Sequence, residues 1–383
     1  MHQMRTCACM VASHSHAGHL ASSGTHSHAQ PERHQQSASE SVLASGRGKP
    51  LTIDVHCHVM VPQVELILDI EAPVEKQAAA AALLEGQGRP STEYNQRMFR
   101  ELEPKMTLPE VRLKDMDSMG VDVQILSPSP TQYYYWAVPS LAEKIVRMQN
   151  ETVANLCRLH PERFAGLGTV SLQYPELAVA QLEYAMRVLG LKGVEISTQV
   201  NGLELSDPAF ECFWAAAERL GAVVFLHPLG CSLGQRIGHF YLSNMIGQPV
   251  ETATALALLM FSGVMDRYPD LKLLAAHGGG FLPFYAGRFD HGYKVRPEAQ
   301  GMKYSPSDYL RRIHYDSLVY EPAALRYLID KVGLERIVIG TDYPFDMGHY
   351  DVSPYVMAVP GLDEAEQKAI LGGNAARLFG LLA

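Results

Sequence analysis

Two histidines stand two residues apart in TIDVHCHV, Thr52 to Val59, inside a run that is otherwise mostly apolar. Positions two apart on a strand share a face. His56 and His58 are therefore expected to present their rings to one side together with Asp54, while Ile53, Val55, Cys57 and Val59 face the other. Imidazoles on a buried face are costly unless hydrogen bonds or a metal satisfy them, so these two read as metal ligands. Other polar residues close apolar runs in the same way: His227 in FLHPLG, His277 in AAHGGG, Asp316 in HYDSL and Asp342 in GTDYPF. Three neutral imidazoles and one carboxylate suit Zn²⁺, and also Mn²⁺ or Fe²⁺. A dication so held polarises a substrate oxygen or lowers the pKa of a bound water toward ~7. A further histidine nearby titrates in the range needed to take or return a proton.

These groups need a scaffold that brings strand ends together. Apolar or alternating runs recur at 52–59, 121–128, 164–172, 191–198, 222–229, 271–278, 311–318 and 336–344. Between them lie helix-like stretches such as LPEVRLKDMDSMG, with Gly120 as a C-cap, and EPAALRYLIDKVG. Eight strands, each followed by a helix, predict an α/β chain folded as a (β/α)8 barrel, with a doubly wound sheet as the alternative. The polar residues fall late in their strands, where a barrel gathers them at one mouth. Residues 60–110 are too long for an ordinary βα loop. They are expected to form an insertion after strand one that edges or covers the pocket, with VEKQAAAAALLEGQG as a surface helix.

At 383 residues, with 47 % apolar and 19 % charged residues, the chain is globular in composition. A formal charge of -9 argues against a nucleic-acid surface. Six scattered cysteines form no disulfide framework, and no apolar run has membrane-spanning length, so a cytoplasmic protein is expected. No GxGxxG or Walker pattern points to a nucleotide cofactor. Residues 1–48 differ from the rest: rich in Ser, His, Ala and Gly, they hold seven of the sixteen histidines. They read as a disordered tail with no catalytic residue, leaving 49–383 as one barrel domain.

TIDVHCH, FLHPLG, AAHGGGFLPFYAGRFD and GTDYPF, in this order, resemble the metal-dependent amidohydrolase superfamily. They are most similar to its branch of 2-amino-3-carboxymuconate-6-semialdehyde decarboxylase and related aromatic-acid decarboxylases. The resemblance runs from about Leu51 to GGNAARLFG. It implies that His56, His58, His227 and Asp342 bind one divalent metal, Zn²⁺ foremost with Mn²⁺ as the alternative, and that His277 is the acid/base histidine. It also implies that Arg100 holds a substrate carboxylate and that Arg288 reaches the neighbouring subunit's pocket in a homodimer or higher oligomer. The activity implied is metal-dependent, non-oxidative decarboxylation of an aromatic or muconate-semialdehyde-like acid. A metal-dependent hydrolase or hydratase acting on a related carboxylated substrate is the alternative. Two stretches depart from the branch: Leu229 replaces an aromatic after the proline of HPLG, and Tyr133, Tyr134, Tyr135 and Trp136 are individual to this chain. Both bear on the substrate rather than the chemistry.

Overall fold

The structure, a computed structural model, describes residues 50–381. Strand β1 (Ile53–Val59) pairs in parallel with β2 (Val123–Pro128), and β2 with β3 (Phe164–Gly166). A second parallel sheet runs β4 (Gly193–Ile196), β7 (Val223–Leu226), β8 (Lys272–Ala275) and β9 (His314–Tyr315). Single bridges join the two sheets. Gly168 meets Val194, and the stretch 337–343 serves as the eighth stave, with Ile337 on Tyr315, Ile339 on Asp54 and Tyr343 on Cys57. The ring is closed, as the strand count predicted. Between β4 and β7 an antiparallel hairpin, β5 (Gln199–Val200) and β6 (Leu203–Glu204), turns on Asn201 and Gly202, both at positive φ.

Strict alternation along β1 does not hold. Ile53 opposes Val123 and Asp54 opposes Gln124, but the register then shifts before Cys57 meets Leu126, so one residue of β2 faces two of β1. This bulge changes the phase of the strand. Ile53 and Val55 pack inside the barrel with Val123, Ile125, Phe225, Leu274 and Val338, and Asp54 points outward to Gln124. Past the bulge His56 and His58 face the bore, while Cys57 joins the outer core and donates to the Ile125 carbonyl. Ala375, Ala376, Leu378 and Phe379 close the bottom of the bore.

The insertion is helical throughout: α1 (Pro62–Glu71), α2 (Pro73–Gln87) and α3 (Arg89–Thr107) precede α4 (Pro109–Met119), which ends on Gly120 at φ 72. The surface helix expected at VEKQAAAAALLEGQG is α2, which buries no residue. The polar stretch after it is α3. Proline stands in the first turn of all four, where its missing N–H costs nothing. Around the ring follow α5 (Pro139–Leu159), α6 (Pro175–Arg187), α7 (Glu211–Leu220), α8 (Gln248–Phe261), α9 (Val264–Arg267), α10 (Ala286–Val295), α11 (Pro306–Leu310) and α12 (Pro322–Val332). No helix of the described residues is long and apolar enough to cross a membrane. The tail 1–48 lies outside the described residues.

Candidate metal centre and active-site cavity

His56, His58, His227 and Asp342 offer one ligand atom each, all within 4.8 Å of one another and all buried. Asp342 Oδ1 stands 3.4 Å from His56 Nε2 and 3.3 Å from His58 Nε2. These three atoms and His227 Nε2 have no hydrogen-bond partner. Four unpaired buried donors aimed at one point would be a heavy cost in a structural core, and they fit a single divalent cation. The opposite ring nitrogens are held: His56 Nδ1 lies 2.6 Å from Asp316 Oδ2, and His227 Nδ1 lies 3.0 Å from the Pro228 carbonyl. Both contacts favour Nδ1–H, leaving the Nε2 lone pair toward the centre. No cysteine belongs to the group.

The charges agree. Burial pushes His56 down, yet the Asp342 and Asp316 carboxylates raise it to about 10. Burial pushes Asp342 up, and the His56 and His58 imidazoles hold it well below the usual carboxylate range. Burial, with His56 adding to it, lowers His277 and drives His227 far down, so both rings are neutral near pH 7. A protein free of metal thus gathers positive charge on His56, which a dication would replace.

His277 stands at the rim. Its ring lies 5.3 Å from that of His56 and 5.1 Å from that of His227, centre to centre, and its Nδ1 is unpaired. The glycines after it permit this placement. A Cβ on Gly280 would fall 2.2 Å from the Pro249 carbonyl oxygen, and one on Gly278 would fall 2.4 Å from Val319 Cγ1. His277 (φ 55) and Asp342 (φ 57) are themselves left-handed, a conformation costly for side chains with a Cβ and common at functional sites.

Sequence reasoning passed over several supports. Glu195 on β4 is fully buried, accepts from Ser127 Oγ and Tyr133 OH, and lies 3.6 Å from His58 Nδ1. A glutamate inside the apolar run GVEIST was the available signal. Asp54 accepts from Gln124 Nε2 and from both the N–H and hydroxyl of Thr341, tying β1 to its two neighbours. Arg112, buried on α4, donates to Gln124 Oε1 and the His58 carbonyl. Nothing in PEVRLKDM set this arginine apart from a surface one.

A cavity of about 360 Å³ opens over the cluster. His227, His277 and Asp342 share its wall with apolar Met98, Phe99, Leu229 and Phe345 and with neutral Asn95, Tyr241 and Asn244. The insertion covers the pocket as expected, α2 and α3 both contributing to its lining. Arg100 is exposed on α3, one residue beyond Phe99, and Arg288 is exposed on α10; neither lines this cavity in the single chain.

A closed parallel barrel with three imidazoles and a carboxylate at its mouth defines a single-metal barrel enzyme. The chain belongs to the amidohydrolase family, whose model matches residues 53–381. It is 34% identical over 287 residues to 2-amino-3-carboxymuconate-6-semialdehyde decarboxylase of Dictyostelium discoideum, covering 74% of this chain and 80% of that one. It is 29% identical to gamma-resorcylate decarboxylase of Rhodococcus jostii, covering 76% and 92%. Among solved structures, 5-carboxyvanillate decarboxylase from Sphingomonas paucimobilis superposes with a TM-score of 0.75 at 26% identity, covering 88% of this chain and all of that one. Its place is in the decarboxylase branch of the family, in agreement with the motifs.

Proposed function

We propose that this chain removes CO₂, without an oxidising cofactor, from an aromatic or muconate-semialdehyde-like carboxylic acid. The observation that carries this reading is one buried, unpaired four-atom donor set beside one neutral imidazole over a shared cavity. His56, His58, His227 and Asp342 would hold the cation, Zn²⁺ by donor set, with Mn²⁺ also accommodated. When bound, a dication there would steady negative charge on substrate oxygens. Phe99 and Phe345, packed edge-to-face at 5.5 Å and 72°, would together form one wall beside a planar ring, and the apolar lining would keep water from the reacting carbon. The bond to the carboxylate breaks, its electron pair stays on the ring carbon within the conjugated system, and the proton that takes the place of CO₂ is relayed by His277, whose neutral imidazole first accepts it from solvent or a substrate hydroxyl and then delivers it. The imidazole ends neutral, as it began, and nothing is oxidised or reduced.

Arg288 is assigned to the pocket of a second copy. Its surroundings support an interface: Phe281 and Tyr285, just before it, are exposed aromatics. Arg100 is assigned to the substrate carboxylate, since it stands on α3 next to Phe99, which lines the cavity. The test is carboxyl-labelled hydroxybenzoates, carboxyvanillate-like acids and aminocarboxymuconate semialdehyde, incubated with the Zn²⁺ or Mn²⁺ protein. Labelled CO₂ with no solvent oxygen in the organic product is expected. Products carrying solvent ¹⁸O, without CO₂, would identify a hydrolase or hydratase instead.

A further inference from the structure

A second cavity, of about 430 Å³, lies beside the first, over the loop after β2 and the β5–β6 hairpin. Ala79, Leu83, Thr131 and Leu229 line both cavities, so the two chambers share a wall of uncharged side chains. Four aromatic residues, Tyr133, Tyr134, Tyr135 and Trp136, line the chamber together with polar Ser197, Gln199 and Asn201 of the β5–β6 region. These rings are pinned. Tyr133 stacks on Tyr135 at 5.5 Å and 9°, and its hydroxyl donates to Glu195 Oε1 at 2.8 Å. Tyr135 accepts the Ser197 N–H at 3.1 Å, and Trp136 packs edge-on against Tyr134 at 5.7 Å. A pre-formed, mostly apolar concavity with fixed aromatic walls is the usual form of a small-molecule site. Lys76, the one lysine or arginine in the lining, already pairs with Glu65 at 3.0 Å and Asp69 at 2.7 Å. The chamber thus offers no unpaired cation to a second anionic group.

We infer that the side chamber receives the uncharged, apolar or aromatic tail of a substrate whose carboxylated ring sits at the metal centre. The inference rests on the proposed decarboxylase reading for the head of the molecule and adds the length and charge of the rest. Adjacency selects this occupant: Thr131 and Leu229 line both cavities, so the chamber adjoins the space over the metal centre. Leu229 follows His227–Pro228 directly, so a ring held at His227 has the chamber as its next neighbour. The substrate class within that reading is an acid extended by an uncharged tail, such as a hydroxybenzoate bearing a butyl or phenylethyl substituent.

The experiment compares kcat/KM for phenylethyl-substituted and unsubstituted hydroxybenzoate. In the native enzyme the extended acid is expected to be favoured by about tenfold or more, through KM, as burial of several apolar groups allows. Leu229→Trp fills the shared wall and should bring the ratio near one, whereas Leu229→Ala should keep or raise it. Opposite shifts at one position cannot both come from a damaged fold. A separate arm needs no turnover: neutral phenylbutanol should perturb the tryptophan emission of the native chain and leave a Trp136→Phe protein unchanged, since Trp214 is fully buried elsewhere. A ratio indifferent to both substitutions, or an emission that the alcohol leaves unmoved, overturns the chamber assignment. If no acid loses CO₂, the decarboxylase reading fails by itself and the emission titration still decides the chamber.

Discussion

At the scale of single residues, Asp316 does more than its position at a strand end announced. Its carboxylate reaches His56 Nδ1 at 2.6 Å and also accepts the backbone N–H groups of His277 at 2.9 Å, Gly278 at 2.7 Å and Leu318 at 3.1 Å. One side chain thus aims the His56 imidazole and fixes the backbone of His277. Asp316→Asn keeps the shape and withdraws the charge. Metal affinity is expected to fall about 10–100-fold, measured by competition with a chromophoric chelator, with the far-UV spectrum unchanged. His58→Ala should go further and lose most bound metal. Elemental analysis of a protein lacking residues 1–48 checks this without interference from the tail histidines, and unchanged stoichiometry would contradict the ligand set. His277→Asn separates holding from chemistry: metal content stays, and turnover drops by roughly 10²-fold or more.

At the scale of elements, the barrel strands hold buried titratable groups that set acid tolerance. His314 on β9 has an unpaired Nδ1, and burial, with Arg336 adding to it, holds its pKa down to about 4. The unfolded chain binds that proton below about 6.5, so between pH 6.5 and 4 the unfolded state takes up more protons than the folded one. The stability this neutral imidazole provides is present above pH 6.5 and lost as pH falls to 4, by on the order of 3 kcal/mol. Denaturant midpoints across this window should fall more steeply for the native protein than for His314→Gln. Equal slopes would place the acid sensitivity elsewhere. Much of this level was legible beforehand: eight strands, the ends at which His56, His58, His227, His277 and Asp342 sit, Gly120 as a cap. What could not be read were features that depend on partners distant in sequence. The bulge in β1 exists because one residue of β2 must face two of β1, so Asp54 was assigned to the wrong side. Glu195 and Arg112 make sense only beside His58.

At the scale of the whole molecule, a pocket whose wall holds the Asp342 carboxylate and no lysine or arginine is suited to an acid if positive charge comes from elsewhere. Arg288, on an exposed face with Phe281 and Tyr285, would supply it from a second copy related by a two-fold axis. Mixing Arg288→Ala subunits with His58→Ala subunits should restore activity. A shared pocket leaves one intact site in each heterodimer, about a quarter of the native rate at full random exchange, by statistics alone. Verified exchange with no recovery would make the pocket the property of one chain.

The closed ring also sets a timetable for the chain as it is made. Thr341 grips Asp54 from 287 residues away, and the eighth stave pairs with the first on one side and with β9 on the other. His56 and His58 leave the ribosome early, yet the carboxylate they share arrives only with residue 342. The four-atom donor set is therefore complete only once the last stave has closed the ring, so metal affinity and barrel closure should be lost together.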